Sequence, residues 1–212
     1  MKASSSTTPT SLPVAVVARA LASDGRHRSA QVDLDFSRNY FELFGLPQRF
    51  RVDQQALMSA YRELQSALHP DRFAHSDDQA RRLAVQGASH VNEAYATLKD
   101  DGLRARYLLS LKGTGVDEAK ESAHDPQFLL EQMELREALE EVDQAADPLA
   151  ALDALSADIE TRYTQMLDAF EAAFEANDLE AARQEVLKLR FFDRLREEVA
   201  RISERLEDQL LG

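Results

Sequence analysis

Between Asp53 and Pro70 the apolar residues Leu57, Ala60, Tyr61, Leu64 and Leu68 recur at spacings of three and four. That period lays a single stripe along an α-helix and does not fit the two-residue alternation of a strand. Asp53 is placed to cap this helix, with Gln54 and Gln55 in its first turn. The run stops at His69-Pro70-Asp71, because the residue before a proline is pushed out of the α region. His69 is thereby expected at the helix's negative end, where a protonated imidazole is favoured. A second stripe, Leu83, Gly87, Val91, Ala94, Tyr95 and Leu98, opens after Ser76, which with Gln79 reads as a capping box. The chain must therefore contain two amphipathic helices joined by a short, stiffened, charged loop.

The rest of the chain reads the same way. Only 7 Gly and 6 Pro occur in 212 residues, so turn-formers are too scarce for a many-stranded fold. The expectation is all-α. Order is expected from about Ser37, which reads as the cap of a short helix through Tyr40, Phe41, Leu43 and Phe44, with Gly45 at its end and Pro47 beyond. A fourth helix is expected over Leu103–Leu111. The stretch 113–124, with Gly113 and Gly115 and no periodicity, is read as a linker. Beyond it Asp125-Pro126 and Asp147-Pro148 each pair an N-cap with proline at the first helical position, and Asp178 is placed to cap a last helix. Three stripes with short connections make an antiparallel three-helix bundle. The domain reading is a leader over 1–36, a first domain over 37–112, the linker, and a bundle over 125–212.

Composition removes several functions. With no cysteine there is no disulfide, thiolate metal site or cysteine nucleophile. A formal charge of -13 disfavours non-specific nucleic-acid binding. No apolar stretch reaches the roughly 18 residues that a membrane span needs. Leu12–Ala22 forms a short apolar patch after a Ser/Thr-rich start. A signal peptide, a transit peptide with Arg19, Arg26 and Arg28, and a poorly ordered tail are all compatible with this leader.

The first bundle helix holds more apolar residues than one stripe accommodates. Phe128, Leu135, Leu139 and Val142 suffice for the core side. Leu129, Leu130 and Met133 lie around from them with Glu134 and Glu137, and Phe191, adjacent to Phe192, is a similar excess in the last helix. An apolar cluster rimmed by charge is what an interaction surface looks like. A wide core stripe, or packing against the first domain, accounts for the same residues.

His69-Pro70-Asp71 admits several readings. The plainest is a helix stop and turn. A metal site would gather His69, Asp71 and His75, but spacing alone leaves most of a coordination shell unspecified. A catalytic His–Asp pair lacks a nucleophile and an oxyanion device. A recognition loop uses all three residues: proline reduces the entropy lost on docking, and the aspartate offers a carboxylate to a partner arginine. Arg62 and Arg72 add positive charge nearby in an acidic chain.

Three blocks in order, Tyr40 to Leu46, the helix ending in His69-Pro70-Asp71-Arg72-Phe73, and Val91 to Leu98, resemble a J-domain. The continuation through Arg104 to Leu111, Phe128 to Glu137 and Lys188 to Asp193 is similar to the HscB family of J-type co-chaperones of iron–sulfur cluster biogenesis. The resemblance spans about residues 38 to 211. It implies an L-shaped protein, neither enzyme nor cofactor carrier. Its J-domain would dock on the DnaK-type chaperone HscA through His69, Pro70 and Asp71, with Arg62 and Arg72 contributing charge. Its bundle would bind the scaffold IscU through Leu129, Leu130, Met133, Glu134, Glu137 and Phe191. A J-domain co-chaperone with another client is the alternative. This chain departs from general J-domains in a second helix whose only cation is Arg62, so Arg81 and Arg82 are expected to share the docking charge. It also lacks the cysteines of the zinc module found in some eukaryotic relatives, which favours a bacterial, cytoplasmic protein over a mitochondrial one.

Overall fold

A computed structural model describes residues 35–74, 76–116, 123 and 125–211. The sequence readings of the leader through residue 34 and of His75 lie outside them. The described residues form helices α1 (Tyr40–Leu43), α2 (Gln54–Ala67), α3 (Asp78–Lys99), α4 (Asp101–Leu111), α5 (Pro126–Glu141), α6 (Pro148–Glu175) and α7 (Leu179–Leu211), with 3-10 turns at Pro70–Phe73 and Val142–Gln144. No strand occurs among them, and no helix is long and apolar enough to cross a membrane.

The chain divides into two compact units, between Asp100 and Asp101. In the first, α1 starts at Asn39 rather than Ser37. Asn39 and Glu42 make a reciprocal capping box, Glu42 N–H donating to Asn39 Oδ1 at 3.0 Å and Asn39 N–H to Glu42 Oε2 at 3.2 Å. Ser37 turns its hydroxyl to Asp35 instead. Gly45 then takes the left-handed conformation (φ 66°) that ends the segment. Asp53 accepts from the N–H groups of Gln55 and Ala56, fixing the start of α2 as expected.

The α2 stripe Leu57, Ala60, Leu64 and Leu68 is buried. It meets a stripe on α3 made of Ala84, Gly87, Val91, Ala94 and Leu98. Leu83, expected on that stripe, is exposed. The 84/87/91/94/98 register is a complete three–four alternation and leaves position 83 off the contact line. Its small members let the two helices approach closely. The cap also moves by one residue: Asp77, not Ser76, accepts from Ala80 N–H at 2.7 Å. Phe41 and Phe44 close the core from α1, where both are fully buried.

In the second unit α5, α6 and α7 form the bundle. Asp125, Asp147 and Asp178 cap them as the sequence implies, and Asn177 supplies a left-handed turn (φ 57°) before α7. α5 ends at Glu141, where the chain tightens into the 3-10 segment Val142–Gln144. The core takes Phe128, Leu135, Leu139 and Val142; Leu152, Ile159, Tyr163, Leu167 and Phe170; and Ala182, Val186, Leu189, Phe192 and Leu195. Leu149, Leu155, Met166 and Phe174 of α6 are only half-buried.

Helix α4, assigned from sequence to the first domain, packs on α7 in the second unit. It buries Ala105, Leu108 and Leu109. Arg106 reaches Asp193 of α7 at 3.7 Å, and Lys112 lies 5.8 Å over the Phe174 ring.

Two predictions follow from packing and capping. Leu64→Ala should destabilise the protein by about 2–5 kcal/mol in urea denaturation, because the tight α2–α3 contact cannot collapse around the void. The second concerns Asp125. The Lys188 ammonium, and then the Phe128 N–H, hold its carboxyl below the usual range. A group whose folded value is lowered stabilises above its unfolded value, and that contribution disappears as pH falls through the folded value. Asp125→Asn should therefore be less stable than wild type near pH 7, and the difference should shrink as pH falls below the ordinary carboxylate range.

Candidate functional site

Pro70 begins a new turn rather than merely ending α2. The helix stops at Ala67 with Leu68 as its C-cap, and His69 becomes the N-cap of the turn Pro70–Phe73. His69 Nδ1 accepts from Asp71 N–H at 3.3 Å, while one Asp71 carboxylate oxygen lies 3.5 Å from the same nitrogen. His69 thus stands directly after the C-cap of α2, at the end where the sequence places it, with its ring folded over the turn that follows. Phe73 is 2% exposed and anchors the turn in the hairpin core.

Anchoring from below leaves the polar side chains free above. The side chains of His69 and Asp71 are 59% and 90% exposed. Arg62 and Arg72 are exposed as well. Arg81 pairs with Asp78 on its own helix, which leaves less of its charge for a partner than the sequence implied. Among the described residues no three His, Cys, Asp or Glu side chains cluster as metal ligands.

A polar clasp invisible in the sequence holds the two helices below this loop. Asn92 Oδ1 accepts from Tyr61 O–H at 3.1 Å and from Gln65 Nε2 at 2.5 Å. Tyr61 also stacks on Tyr95, with ring centroids 4.0 Å apart. Gln65 stands one turn before His69, so the clasp sets the register from which the loop departs. Only the three-dimensional facing of α2 and α3 identifies these partners.

The second candidate is the outer face of α5. Leu129, Leu130 and Met133 are 54%, 61% and 67% exposed, while Phe128, Leu135, Leu139 and Val142 of the same helix are buried. At 100° per residue, the order around the helix away from the core is Arg136, Leu129, Met133, Glu137, Leu130 and Glu134. Both glutamates are exposed. Phe191 is half-buried, edge-on to Phe128 at 5.8 Å and to Phe192 at 5.5 Å. The Arg136 guanidinium lies 5.6 Å over its ring. Phe191 therefore occupies the seam between α5 and α7, on the flank from which Leu129 and Met133 continue. A wide core stripe does not describe these residues.

Lys188 is a member of this neighbourhood that sequence reasoning missed. Its Nζ lies 3.0 Å from both Asp125 Oδ2 and Glu185 Oε1 and 5.7 Å over the Phe128 ring. Burial works against its charge, but the hydrogen bonds to Glu185 and Asp125 outweigh it and raise the pKa. The signal was a lysine one turn ahead of Phe191 and Phe192. Its partners Asp125 and Phe128 lie 63 and 60 residues upstream at the start of α5, so spacing could not reveal them.

Comparison with known proteins agrees with both halves. Residues 39–107 match the DnaJ domain, and residues 124–200 match the HscB C-terminal oligomerisation domain. A co-chaperone protein HscB homolog of Vibrio cholerae is 45% identical over 174 residues, covering 82% of this chain and 99% of that protein. The homolog from Vibrio atlanticus is 41% identical over the same shares. Among solved structures, chaperone HscB from Vibrio cholerae superposes with a TM-score of 0.72 at 44% identity, covering 82% of this chain and 99% of the other. Human co-chaperone protein HscB superposes with a TM-score of 0.74 at 31% identity, covering 84% and 92%. With a J-domain hairpin carrying an exposed His-Pro-Asp turn and a three-helix bundle carrying an uncovered apolar face, this chain belongs to the HscB family of co-chaperones.

Proposed function

We propose that this protein delivers an iron–sulfur scaffold of the IscU type to a DnaK-type chaperone of the HscA type and stimulates that chaperone's ATP hydrolysis. The observation that carries the reading is the division of α5 into a buried stripe and an exposed apolar face on a chain that also holds a His-Pro-Asp turn. The turn is the chaperone end. It presents the Asp71 carboxylate, the His69 ring and the cations of Arg62 and Arg72 from a backbone stiffened by Pro70. The scaffold end is Leu129, Leu130, Met133 and Phe191, with Glu134 and Glu137 at the border to pair with cations of the partner. The protein itself contributes linkage rather than chemistry: holding both partners raises the effective concentration of client at the chaperone. The higher identity to bacterial relatives than to the human protein favours a bacterial cytoplasmic setting.

His69→Gln should leave the fold and scaffold binding unchanged and abolish stimulation in a steady-state chaperone ATPase assay. Full stimulation by that variant would overturn the chaperone half of the proposal. Alanine at Leu129, Leu130, Met133 and Phe191 together should abolish scaffold binding by calorimetry, while stimulation without scaffold persists. Single truncations at the centre of the face should cost about 2 kcal/mol, roughly thirtyfold in affinity. Unchanged scaffold affinity in the quadruple variant would assign the bundle a different client.

A further inference from the structure

From the way α5 is fastened at its start, we infer that Lys188 is a positioning residue for the recognition face, acting as a clamp between α7 and the first turn of α5. The inference rests on the scaffold-binding reading of that face.

Three contacts converge on one ammonium. Lys188 Nζ binds Asp125 Oδ2 at 3.0 Å, binds Glu185 Oε1 at 3.0 Å, and lies 5.7 Å over the Phe128 ring. Its side chain is only 13% exposed, while the Asp125 carboxylate it holds is 38% exposed, so the ammonium is shielded from solvent and the carboxylate is partly open to it. Asp125 is also the N-cap of α5, its Oδ1 accepting from Gln127 and Phe128 N–H at 3.0 and 3.2 Å. One carboxylate thus holds the helix start with one oxygen and α7 with the other.

The residues that follow this cap immediately are the exposed ones. Leu129 and Leu130 stand one and two positions after Phe128. Phe191 rests edge-on against the Phe128 ring and lies one turn after Lys188 on α7. Lys188 and Phe191 therefore bear on Phe128 together, and the rotation of this first turn about the helix axis fixes where both leucines point relative to Phe191. Beyond the buried Phe128 ring, apolar packing adds little further hold on this turn, because Leu129, Leu130 and Met133 are exposed and the next buried apolar position on α5 is Leu135, two turns on. A cation that bonds the cap and covers the ring sets that rotation before a partner arrives, which lowers the ordering cost of binding.

Lys188→Met retains the length of the stem and removes the charge. In that variant, amide hydrogen exchange at Gln127 and Phe128 should accelerate about tenfold or more relative to the rest of the bundle. Scaffold affinity should fall about tenfold, and Lys188→Arg should recover most of it. In a Phe191→Ala background the same change should cost less than about twofold, since the aligned partner is already gone. A residue that merely supported global stability would speed exchange across the bundle and would cost the same in either background; either result overturns the inference, as does wild-type exchange at the two amides. Should Lys188→Met fail to fold, Asp125→Asn severs the same ion pair while keeping a capping oxygen, and the same outcomes apply. Leu130→Ala in the same titration separates the two levels. If it too leaves scaffold binding unchanged, the client assignment fails, and the exchange measurement still decides whether the clamp exists.

Discussion

A helix in a bundle has one side for its neighbours, and α5 carries apolar residues for two. Phe128, Leu135, Leu139 and Val142 satisfy the core. Their burial fixes the rotation of α5, and that rotation leaves Leu129, Leu130 and Met133 in water, where each exposes most of its apolar surface. The exposed face is stable only because the opposite stripe is strong enough to hold it there. Charge borders and interrupts it: Arg136 towards Phe191, Glu137 between Met133 and Leu130, and Glu134 on the far side. Charges at the rim keep the exposed apolar patch small. Phe191 completes the arrangement from α7, half inside the seam and half outside it.

The other end uses the same economy of support from beneath and polarity above. Phe73 and Leu68 are each 2% exposed and bracket the turn from the hairpin core. Between them His69, Pro70, Asp71 and Arg72 are all exposed. The turn is therefore rigid without being buried. The acidic side chains that cap the helices, Asp53, Asp77, Asp125, Asp147 and Asp178, satisfy N–H groups that would otherwise lack partners and complement the helix dipoles. Part of the charge of -13 is thus structural, and it leaves Arg62 and Arg72 as cations set against an acidic background.

Local information accounts for what the sequence made legible. The caps Asp53, Asp125, Asp147 and Asp178 and both Pro starts are decided within four residues, and all stand where the residues imply. Where two oxygen-bearing side chains competed, as with Ser37 against Asn39 or Ser76 against Asp77, only the path of the backbone chose. The surplus on α5 was legible as a count, since four residues fill a core stripe and seven or more do not fit in it. Leu83 was misplaced because Leu and Ala are both apolar, and the register that wins is set by how closely α2 can approach. The placement of α4, the Asn92 clasp and the Lys188 clamp were illegible for one reason. Each depends on a residue more than 25 positions away, and a helical period says nothing of which neighbour a face will meet.

The two candidate ends lie in different compact units, and that separation bears on mechanism. A protein that signalled between its ends through shape would need a bistable element whose equilibrium both partners bias. Linkage needs none. If the loop and the face bind independently, tethering alone raises the client's local concentration at the chaperone, and each partner can be released by weakening its own site. The requirement then falls on each site separately: it must be formed before its partner arrives, because no energy comes from the other end. A proline-stiffened turn anchored by Phe73, and a helix start fastened by a lysine that is raised in pKa by the carboxylates it holds, are both ways of meeting that requirement in advance.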